Sequence, residues 1–323
     1  MLQRLSFVRR LRQELFTDSR VVQERLRQLG GSGTVRTTLE EIRREGNEDQ
    51  NKTKSKDMSN SNSKSARTST AAATESSTPP NTVLRITLDN PLRANALCGK
   101  MLAELGDAVQ TAVGLELQDP ASATAAKPKL ACVVIQGAGR HFCAGSDLNL
   151  LANATADTAK DMLNFMHTVT TCFKTLSVPT IALLQGDAIG GGSELVTMTD
   201  YQVADEAAAR IRFVHARRGL TPGWGGAARL IHMVGAHRAS QALMSARMFT
   251  AKDAHNYGLF SHLAPAGEAP RVCDDLVQTL TSNDPAAIAS AKLLSLRGFI
   301  ESLEASQDTE KEMFESAFAR LQW

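Results

Sequence analysis

The stretch Leu183-Leu-Gln-Gly-Asp-Ala-Ile-Gly-Gly-Gly-Ser-Glu-Leu-Val-Thr-Met-Thr-Asp200 joins the end of an apolar run to three consecutive glycines. The apolar run over 178–184 predicts a short buried strand, and the glycines at 190–192 lead into a helix with Glu194 in its first turn. Glycines let a ligand approach main-chain amides, and a helix N-terminus carries about half a positive charge. This pattern favours an oxyanion site, although glycines between a strand and a helix also serve tight packing.

A second stretch, His141-Phe-Cys-Ala-Gly-Ser-Asp-Leu148, has the same layout. It follows an apolar run over 130–136 that predicts another strand, and the small residues Ala144-Gly145 precede an amide at Ser146 that can face outward. Two converging main-chain N–H groups form an oxyanion hole, which stabilises a negatively charged oxygen. The two stretches together predict such a hole, built from the amides of Ser146 and Gly191.

A third glycine-rich stretch, Gly219-Leu-Thr-Pro-Gly-Trp-Gly-Gly226, follows these two. Together with Phe142-Cys-Ala-Gly-Ser-Asp147 and Gly190-Gly-Gly-Ser-Glu194, it resembles the crotonase superfamily, also called enoyl-CoA hydratase/isomerase, over roughly residues 81–323. The resemblance implies an α/β fold. Its core would be a crotonase-like spiral of ββα turns with a C-terminal helical region, preceded here by an N-terminal helix and a disordered linker.

The composition argues against several other classes of protein. The chain has 323 residues, and 42% hydrophobic residues suffice for a large core. A net charge of +2 and 5% aromatic residues give no preference for nucleic acid, and no apolar run is long enough to span a membrane. Five scattered cysteines without metal-ligand spacing predict free thiols and no metal site: Cys98, Cys132, Cys143, Cys172 and Cys273.

The chain is predicted to divide into four regions. Residues 1–45 form an amphipathic helical extension, because apolar residues recur every three to four positions before Gly30-Gly31. Residues 46–81 are polar and of low complexity, which predicts a disordered linker. Residues 82–265 form the spiral core. The resemblance implies that residues 266–323 form a C-terminal helical trimerisation region, which stops where relatives usually continue, so either the sequence is truncated or the trimer contact is altered.

The N-terminus leaves two compartments open. Four arginines and no acidic residue within the first thirteen positions are typical of a mitochondrial transit peptide, but acidic residues follow soon after. Residues 22–31 also resemble the helix that precedes the core in cytosolic relatives. We expect the cytosol, with the mitochondrial matrix as the alternative.

Strands alternate with helices along the predicted core, which favours parallel pairing. The predicted strands of the main sheet are 82–88, 130–136 and 178–184, and a flanking sheet is expected from 201–204 and 212–215. Helices are predicted over 100–117, 158–176, 226–234, 238–245, 250–257, 271–282 and 284–322.

Hydratases of the crotonase family use two glutamates, and this chain keeps one of them. Glu194 matches the glutamate that follows the three glycines, whereas the second position holds His215. Because hydration needs a carboxylate pair to hold and activate a water molecule, the histidine puts hydratase activity in doubt. Within the superfamily, Ile211-Arg-Phe-Val-His215 and Gly223-Trp-Gly-Gly226 are most similar to ethylmalonyl-CoA decarboxylases.

That resemblance implies decarboxylation of a short branched malonyl-type acyl-CoA through a thioester enolate. The substrates expected are ethylmalonyl-CoA and also methylmalonyl-CoA, in a step that destroys a side product of fatty acid synthesis. His215 would orient the departing carboxylate and, with Glu194 or a water molecule, return a proton to the α-carbon. The oxyanion-hole amides of Ser146 and Gly191 complete the expected catalytic set.

The resemblance also implies a set of substrate contacts. Residues 93–97 match the loop that lines the CoA pocket, Trp224 is expected to form a wall of the acyl pocket, and Lys292 is expected near the CoA phosphates. The full predicted binding set is Arg93, Asn95, Ala96, Leu97, Ala144, Asp147, Leu148, Gly190, Trp224 and Lys292. No cofactor is expected because coenzyme A is part of the substrate, and a homotrimer or hexamer is expected.

Two other functions remain open at this point. One is an enoyl-CoA hydratase or isomerase of fatty acid oxidation that works with Glu194 alone. The other is a catalytically silent protein of the crotonase fold that binds RNA or a protein partner through its basic N-terminal helix.

Overall fold

A computed structural model describes residues 12–13, 17, 19–42, 81–117, 129–296, 299 and 315 of the chain. Its nine strands in the described residues are β1 (Thr34–Ile42), β2 (Asn81–Asp89), β3 (Lys129–Gly137), β4 (Thr180–Leu184), β5 (Asp187–Ile189), β6 (Tyr201–Asp205), β7 (Arg210–Arg212), β8 (Phe249–Thr250) and β9 (His262–Ala264). Six of these form the main sheet in the order β1-β2-β3-β4-β6-β9, and β5-β7-β8 form a smaller sheet.

The helices fill the connections between these strands. They are α1 (Arg20–Gln28), α2 (Gly99–Glu116), α3 (Leu148–Ala152), α4 (Ala156–Lys174), α5 (Gly191–Thr197), α6 (Gly226–Val234), α7 (Ala236–Ser245), α8 (Ala251–Tyr257) and α9 (Ala269–Ser282), and residues 285–296 are also helical. Short 3-10 turns lie at Pro91–Arg93 and His215–Arg218. None of the helices in the described ranges has the length and apolar character needed to cross a membrane.

The main sheet is parallel from β2 to β9, as the alternation of strands and helices predicts. Its strands alternate in side-chain direction, so each face packs on its own set of helices. Leu84 and Ile86 point into the larger core, which α2, α4 and α5 also line, while Val83 joins a second core under α9. The five cysteines are buried and free, as expected. The main sheet thereby lies between two apolar layers. These layers hold in place the loops that carry the candidate site.

The predicted helical extension over 1–45 is wrong in its second half. The helix α1 is present, but residues 34–42 form β1, which pairs antiparallel with β2 along its whole length. Alternating Val35 and Thr37 fit a sheet edge better than a helix, and the turn at Gly30-Gly31 separates the two elements. Residues 34–42 therefore belong to the core sheet. The predicted linker at 46–81 lies outside the described residues except for Asn81, which is the first residue of β2.

A flanking sheet is present, but neither expected segment forms it as predicted. Residues 201–204 lie in β6 of the main sheet, and the flanking sheet consists of β5, β7 and β8. The strand β7 covers Arg210–Arg212, and His215 opens a 3-10 turn instead of ending a strand over 212–215. Gly219, at φ +68°, ends that turn in a left-handed conformation that glycine adopts without strain. Most predicted helices are confirmed within a few residues. The last predicted helix, 284–322, is described only to residue 296 apart from residues 299 and 315.

A partly buried ion cluster attaches the helical residues 285–296 to the main sheet. The Asp200 carboxylate lies 2.7 Å from the Lys292 ammonium and 3.2 Å from that of Lys174, and it accepts hydrogen bonds from the amide and hydroxyl of Thr180. Although burial alone would raise it, these two ammonium groups hold the pKa of Asp200 below its ordinary value. Lys292 also donates to the carbonyl of Val178 at 2.7 Å. The cluster thus joins β4 and β6 to the C-terminal helical region.

We predict that Asp200→Asn lowers the free energy of unfolding by about 3 kcal/mol, because it leaves two partly buried cations without a counter-charge. Urea unfolding at neutral pH measures this. Since the pKa of Asp200 is lowered by folding, its contribution is complete above the ordinary aspartate pKa of about 4 and is lost only as the pH falls further.

The matched control is Asp275→Asn. Asp275 also pairs with a cation, Arg271, but both side chains are about two-thirds exposed. Exposed pairs of this kind contribute at most about 1 kcal/mol. Equal losses for the two variants would show that the Asp200 cluster does not anchor the C-terminal helical residues.

Candidate active site

A cavity of about 390 Å³ opens where the three glycine-rich stretches meet. Its polar side is formed by Ser146, Gly190, Gly191, Glu194 and His215. Its apolar side comes mainly from α3, α4 and the loop before α6, with one residue from β5 and one that directly precedes the 3-10 turn. The apolar residues are Leu148, Leu151, Met162, Ile189, Val214, Leu220 and Trp224.

The two predicted oxyanion stretches lie directly against each other. The amide of Ile189 donates to the carbonyl of Cys143 at 2.9 Å, which links β5 to the preceding loop. A methyl group added to Gly145 would lie only 2.8 Å from the Gly191 nitrogen and 2.9 Å from the Ile189 carbonyl oxygen. Gly145 also has φ +88°, where a side chain is strained. Only glycine fits here, and its close approach brings the Ser146 and Gly191 amides to one cavity.

Neither the Ser146 amide nor the Gly191 amide donates a hydrogen bond to another group in the described part of the chain. Gly191 is the first residue of α5, and the next turn of that helix bonds back to the Gly190 carbonyl through Ser193 and Glu194. The first N–H groups of a helix have no partner within it. Both amides are therefore available to an oxygen atom placed in the cavity.

The Glu194 carboxylate is buried and surrounded by donors. It accepts from the amide of Trp224 at 2.8 Å, from the amide of Gly226 at 3.0 Å and from Nε2 of His215 at 3.1 Å. Burial alone would raise its pKa, but His215, the Trp224 amide and the charge of Arg229 together hold the pKa of Glu194 below its ordinary value. Glu194 is consequently an ionised carboxylate at neutral pH.

His215 lines the cavity, and one of its two ring nitrogens, Nε2, contacts Glu194. Because ionised Glu194 is an acceptor only, the hydrogen between the two side chains lies on Nε2. The Nδ1 atom is buried and has no hydrogen-bond partner in the described residues. A neutral ring therefore presents a lone pair on Nδ1, and a protonated ring presents an N–H donor there.

Trp224 joins the polar and apolar sides of the cavity. Its amide holds Glu194, while its indole lies so close to Gly191 that an added methyl group there would be 2.4 Å from the ring. The ring is almost completely buried. Trp224 thus limits the space beside the Gly191 amide.

The structure brings most of the predicted binding residues to this cavity and places three elsewhere. Arg93, Ala96, Ala144, Asp147, Leu148, Gly190 and Trp224 line the cavity, with Arg93 and Asp147 paired at 3.1 Å. The buried Asn95 amide instead donates to the carbonyls of Ala138 and His141 and so holds the loop. Leu97 is completely buried in the main core.

Lys292, which is predicted to lie near the CoA phosphates, does not line this cavity. Its side chain is 7% exposed, and its ammonium is engaged by Asp200 and the Val178 carbonyl. A lysine on an amphipathic helix is expected to face solvent, and only the fold shows that an acidic partner lies beneath it.

Several cavity residues were not identified from the sequence. Met162 and Leu151 lie on the buried faces of α4 and α3, where the periodic pattern predicts only core positions. Arg218 lines the cavity at the end of the 3-10 turn. In the described chain, no group of three or more His, Cys, Asp or Glu side chains is arranged to hold a metal ion.

Comparison with known proteins agrees with the geometry. The family model for enoyl-CoA hydratase/isomerase matches residues 78–322 of the chain. The chain belongs to this family. Ethylmalonyl-CoA decarboxylase of Xenopus laevis is 31% identical over 242 residues, which cover 74% of this chain and 77% of that protein. Enoyl-CoA isomerase/hydratase fer4 of Mycosarcoma maydis is 27% identical over 75% of this chain and 86% of its own length.

The solved structures of the family confirm the crotonase fold. An enoyl-CoA hydratase from Bacillus anthracis superposes with a TM-score of 0.60 and 26% sequence identity. The match covers 73% of this chain and 86% of that one. The predicted fold class is thereby confirmed, and family membership agrees with the resemblance found in the glycine-rich stretches.

We predict that Gly145→Ala lowers the free energy of unfolding by more than about 1–3 kcal/mol. The strained backbone alone accounts for that amount, and the contact of the added methyl group with main-chain atoms lowers the free energy further. It is also expected to abolish any turnover that uses the two amides. Gly267→Ala is the matched control, since Gly267 has φ +79° and open space around the added methyl group. Urea unfolding and an activity assay of both variants check this. Equal stability of the two variants would contradict the close contact of the two loops.

Proposed function

We propose that this crotonase-family acyl-CoA enzyme decarboxylates a short branched malonyl-type thioester, with ethylmalonyl-CoA as the main substrate and methylmalonyl-CoA as a second. The observation that carries the proposal is the pair of Glu194 and His215. The carboxylate is engaged by main-chain amides and by the imidazole, while His215 lines the cavity and its buried Nδ1 has no hydrogen-bond partner in the described residues. Hydration by a carboxylate pair is disfavoured because His215 stands at the second glutamate position, the Glu194 carboxylate already accepts several hydrogen bonds, and the other carboxylate in the described cavity lining, Asp147, is paired with Arg93.

The first requirement of decarboxylation is a site for the enolate. When the bond from the α-carbon to the carboxylate breaks, its electron pair moves into the thioester and places negative charge on the carbonyl oxygen. The free amides of Ser146 and Gly191 can donate to that oxygen. A donor of this kind typically contributes about 3 kcal/mol to the transition state.

The second requirement is a group that orients the carboxylate and then returns a proton. A protonated His215 ring can donate from Nδ1 to the substrate carboxylate and so hold it out of the thioester plane. After CO2 leaves, the same N–H can pass its proton to the α-carbon, which gives the saturated acyl-CoA and a neutral ring. Ionised Glu194 stabilises the charged ring through Nε2. A proton from solvent then restores the protonated ring, so that each turnover consumes one proton and needs no oxidant or reductant.

The apolar side of the cavity suits a short branch on the α-carbon. Leu151, Met162 and Trp224 present apolar atoms, and the Trp224 ring closes the space next to Gly191. An ethyl or methyl group can be buried there without leaving polar atoms unpaired. We further propose that the enzyme removes a carboxylated by-product of fatty acid synthesis.

Incubation of the full chain with ethylmalonyl-CoA, methylmalonyl-CoA and crotonyl-CoA tests the function. We predict release of CO2 from the first two, with higher kcat/KM for ethylmalonyl-CoA, and no hydration of crotonyl-CoA. Hydration of crotonyl-CoA alone would overturn the proposal in favour of a hydratase that uses Glu194. No turnover of any thioester, with RNA retained on a filter, would instead favour a binding protein.

We predict that His215→Ala lowers kcat for decarboxylation by about 10²–10⁴-fold, the usual contribution of a positioned acid or base. Binding of butyryl-CoA, the product, is expected to change little because the amides and the apolar wall remain. His237→Ala is the matched control, since His237 is exposed in α7 and outside the cavity. Unchanged decarboxylation by His215→Ala would remove His215 from the mechanism.

A further inference from the structure

Arg229 in α6 has one of the largest completely buried side chains in the described chain, with 1% exposure. A guanidinium is always charged, and removing a charge from water is costly unless hydrogen bonds and nearby charge compensate for it. The proposed mechanism does not use this residue. The cost of burying this charge must therefore be offset by the groups that Arg229 contacts.

The guanidinium binds two backbone carbonyls that belong to the site. Nη2 of Arg229 donates to the carbonyl of Trp224 at 2.8 Å and to that of Glu194 at 3.2 Å. Two hydroxyls complete the arrangement, because Nε donates to Thr197 Oγ1 at 3.0 Å and Nη1 to Thr170 Oγ1 at 3.1 Å. Thr197 in turn donates to the Glu194 carbonyl and Thr170 to the Trp224 carbonyl, both at 2.7 Å. Each carbonyl is thus held by the arginine and by one threonine.

This arrangement lies directly behind the Glu194 carboxylate. The backbone that carries the two carbonyls also carries the Trp224 amide, and the following residues bring the Gly226 amide to the same carboxylate. A methyl group on Gly225 would lie 2.7 Å from Arg229 Nη1, and one on Gly226 would lie 2.4 Å from Glu194 Cγ. The loop is therefore packed tightly between the guanidinium and the carboxylate.

We propose that Arg229 is a positioning residue of the Glu194–His215 pair. It ties the Glu194 carbonyl to the Trp224 carbonyl, so that the amides of Trp224 and Gly226 face the carboxylate and the carboxylate holds His215 by Nε2. The kinetic test of this proposal rests on the proposed function, because it measures turnover of ethylmalonyl-CoA. The structural test does not depend on the proposed function.

Charge supports the same assignment. Burial raises the pKa of Glu194, but the contacts with His215 and the Trp224 amide lower it, and together with the positive charge of Arg229 they hold it below its ordinary value. The charge of Arg229 is the smallest of these causes. Among the described residues, the titratable and charged groups packed around Glu194 are His215, Arg229 and the buried His167 of α4, which lies near Gly225. Removing the arginine charge raises the pH at which Glu194 takes up a proton and releases His215.

The test compares Arg229→Met with Arg229→Lys in the full chain. Arg229→Met removes both charge and hydrogen bonds. It is predicted to lower kcat for ethylmalonyl-CoA by about 100-fold, as expected for a displaced reacting group, with a much smaller change in KM. The acidic limb of its pH–rate profile is predicted to move to higher pH. Arg229→Lys keeps a cation but not the two-carbonyl fork, so its acidic limb is predicted to stay in place while kcat falls. If Arg229→Met does not fold, Arg229→Lys alone tests the prediction, because unchanged kcat would overturn it.

Arg85→Met provides the matched control. Arg85 is also a largely buried arginine, but it pairs with Glu40 and Asp274 away from the cavity. It is expected to lower stability without moving the pH profile. If the Arg85 variant moves the profile as Arg229→Met does, the effect is a general loss of stability and the proposal fails.

A crystal structure of the more stable Arg229 variant separates this inference from the proposed function. Loss of the 2.8 Å bond between the Trp224 amide and the Glu194 carboxylate is the expected result, whether or not the enzyme decarboxylates the tested thioesters. A variant that retains this bond overturns the positioning role. A wild-type protein that turns over none of the malonyl thioesters overturns the proposed function alone.

Discussion

The buried Glu194 carboxylate is the interaction on which the rest of the site depends. A charge without water must be surrounded by donors, and here the amides of Trp224 and Gly226 and the ring of His215 supply them. These donors come from the 3-10 turn and from the loop before α6, two segments that follow α5 in the chain. Satisfying one carboxylate therefore fixes the relative position of three segments, and with it the tautomer of the histidine.

The same constraint explains why glycines surround the site. The loop can wrap the carboxylate only because Gly225 and Gly226 have no side chains to meet Arg229 and Glu194. On the opposite side, Gly145 lies against the Gly191 nitrogen and lets two amides share one cavity. Backbone atoms thus provide the proposed oxyanion site and, together with His215 and Arg229, the surroundings that keep Glu194 ionised. His215 lines the cavity, and its Nδ1 is a buried polar atom without a hydrogen-bond partner in the described residues.

The sequence predicted the parts of this architecture that depend on local pattern. Apolar runs and glycine positions were sufficient for the parallel strands, for most helices and for the meeting of the Ser146 and Gly191 loops. It did not predict features set by distant partners. Strand β1 forms by pairing with the edge of β2, and Lys292 is buried because it pairs with Asp200. Met162 lines the cavity only because α4 packs against it. The role of Arg229 also depends on carbonyls of remote residues, which no spacing reveals.

The most direct test of the central claim is a crystal structure of the protein with a non-decarboxylating analogue of ethylmalonyl-CoA, in which a sulfonate replaces the carboxylate. We predict that the thioester oxygen lies within hydrogen-bond distance of both the Ser146 and Gly191 amides, and that the sulfonate lies against Nδ1 of His215. A thioester oxygen that contacts neither amide, or a sulfonate held away from the imidazole, would contradict it.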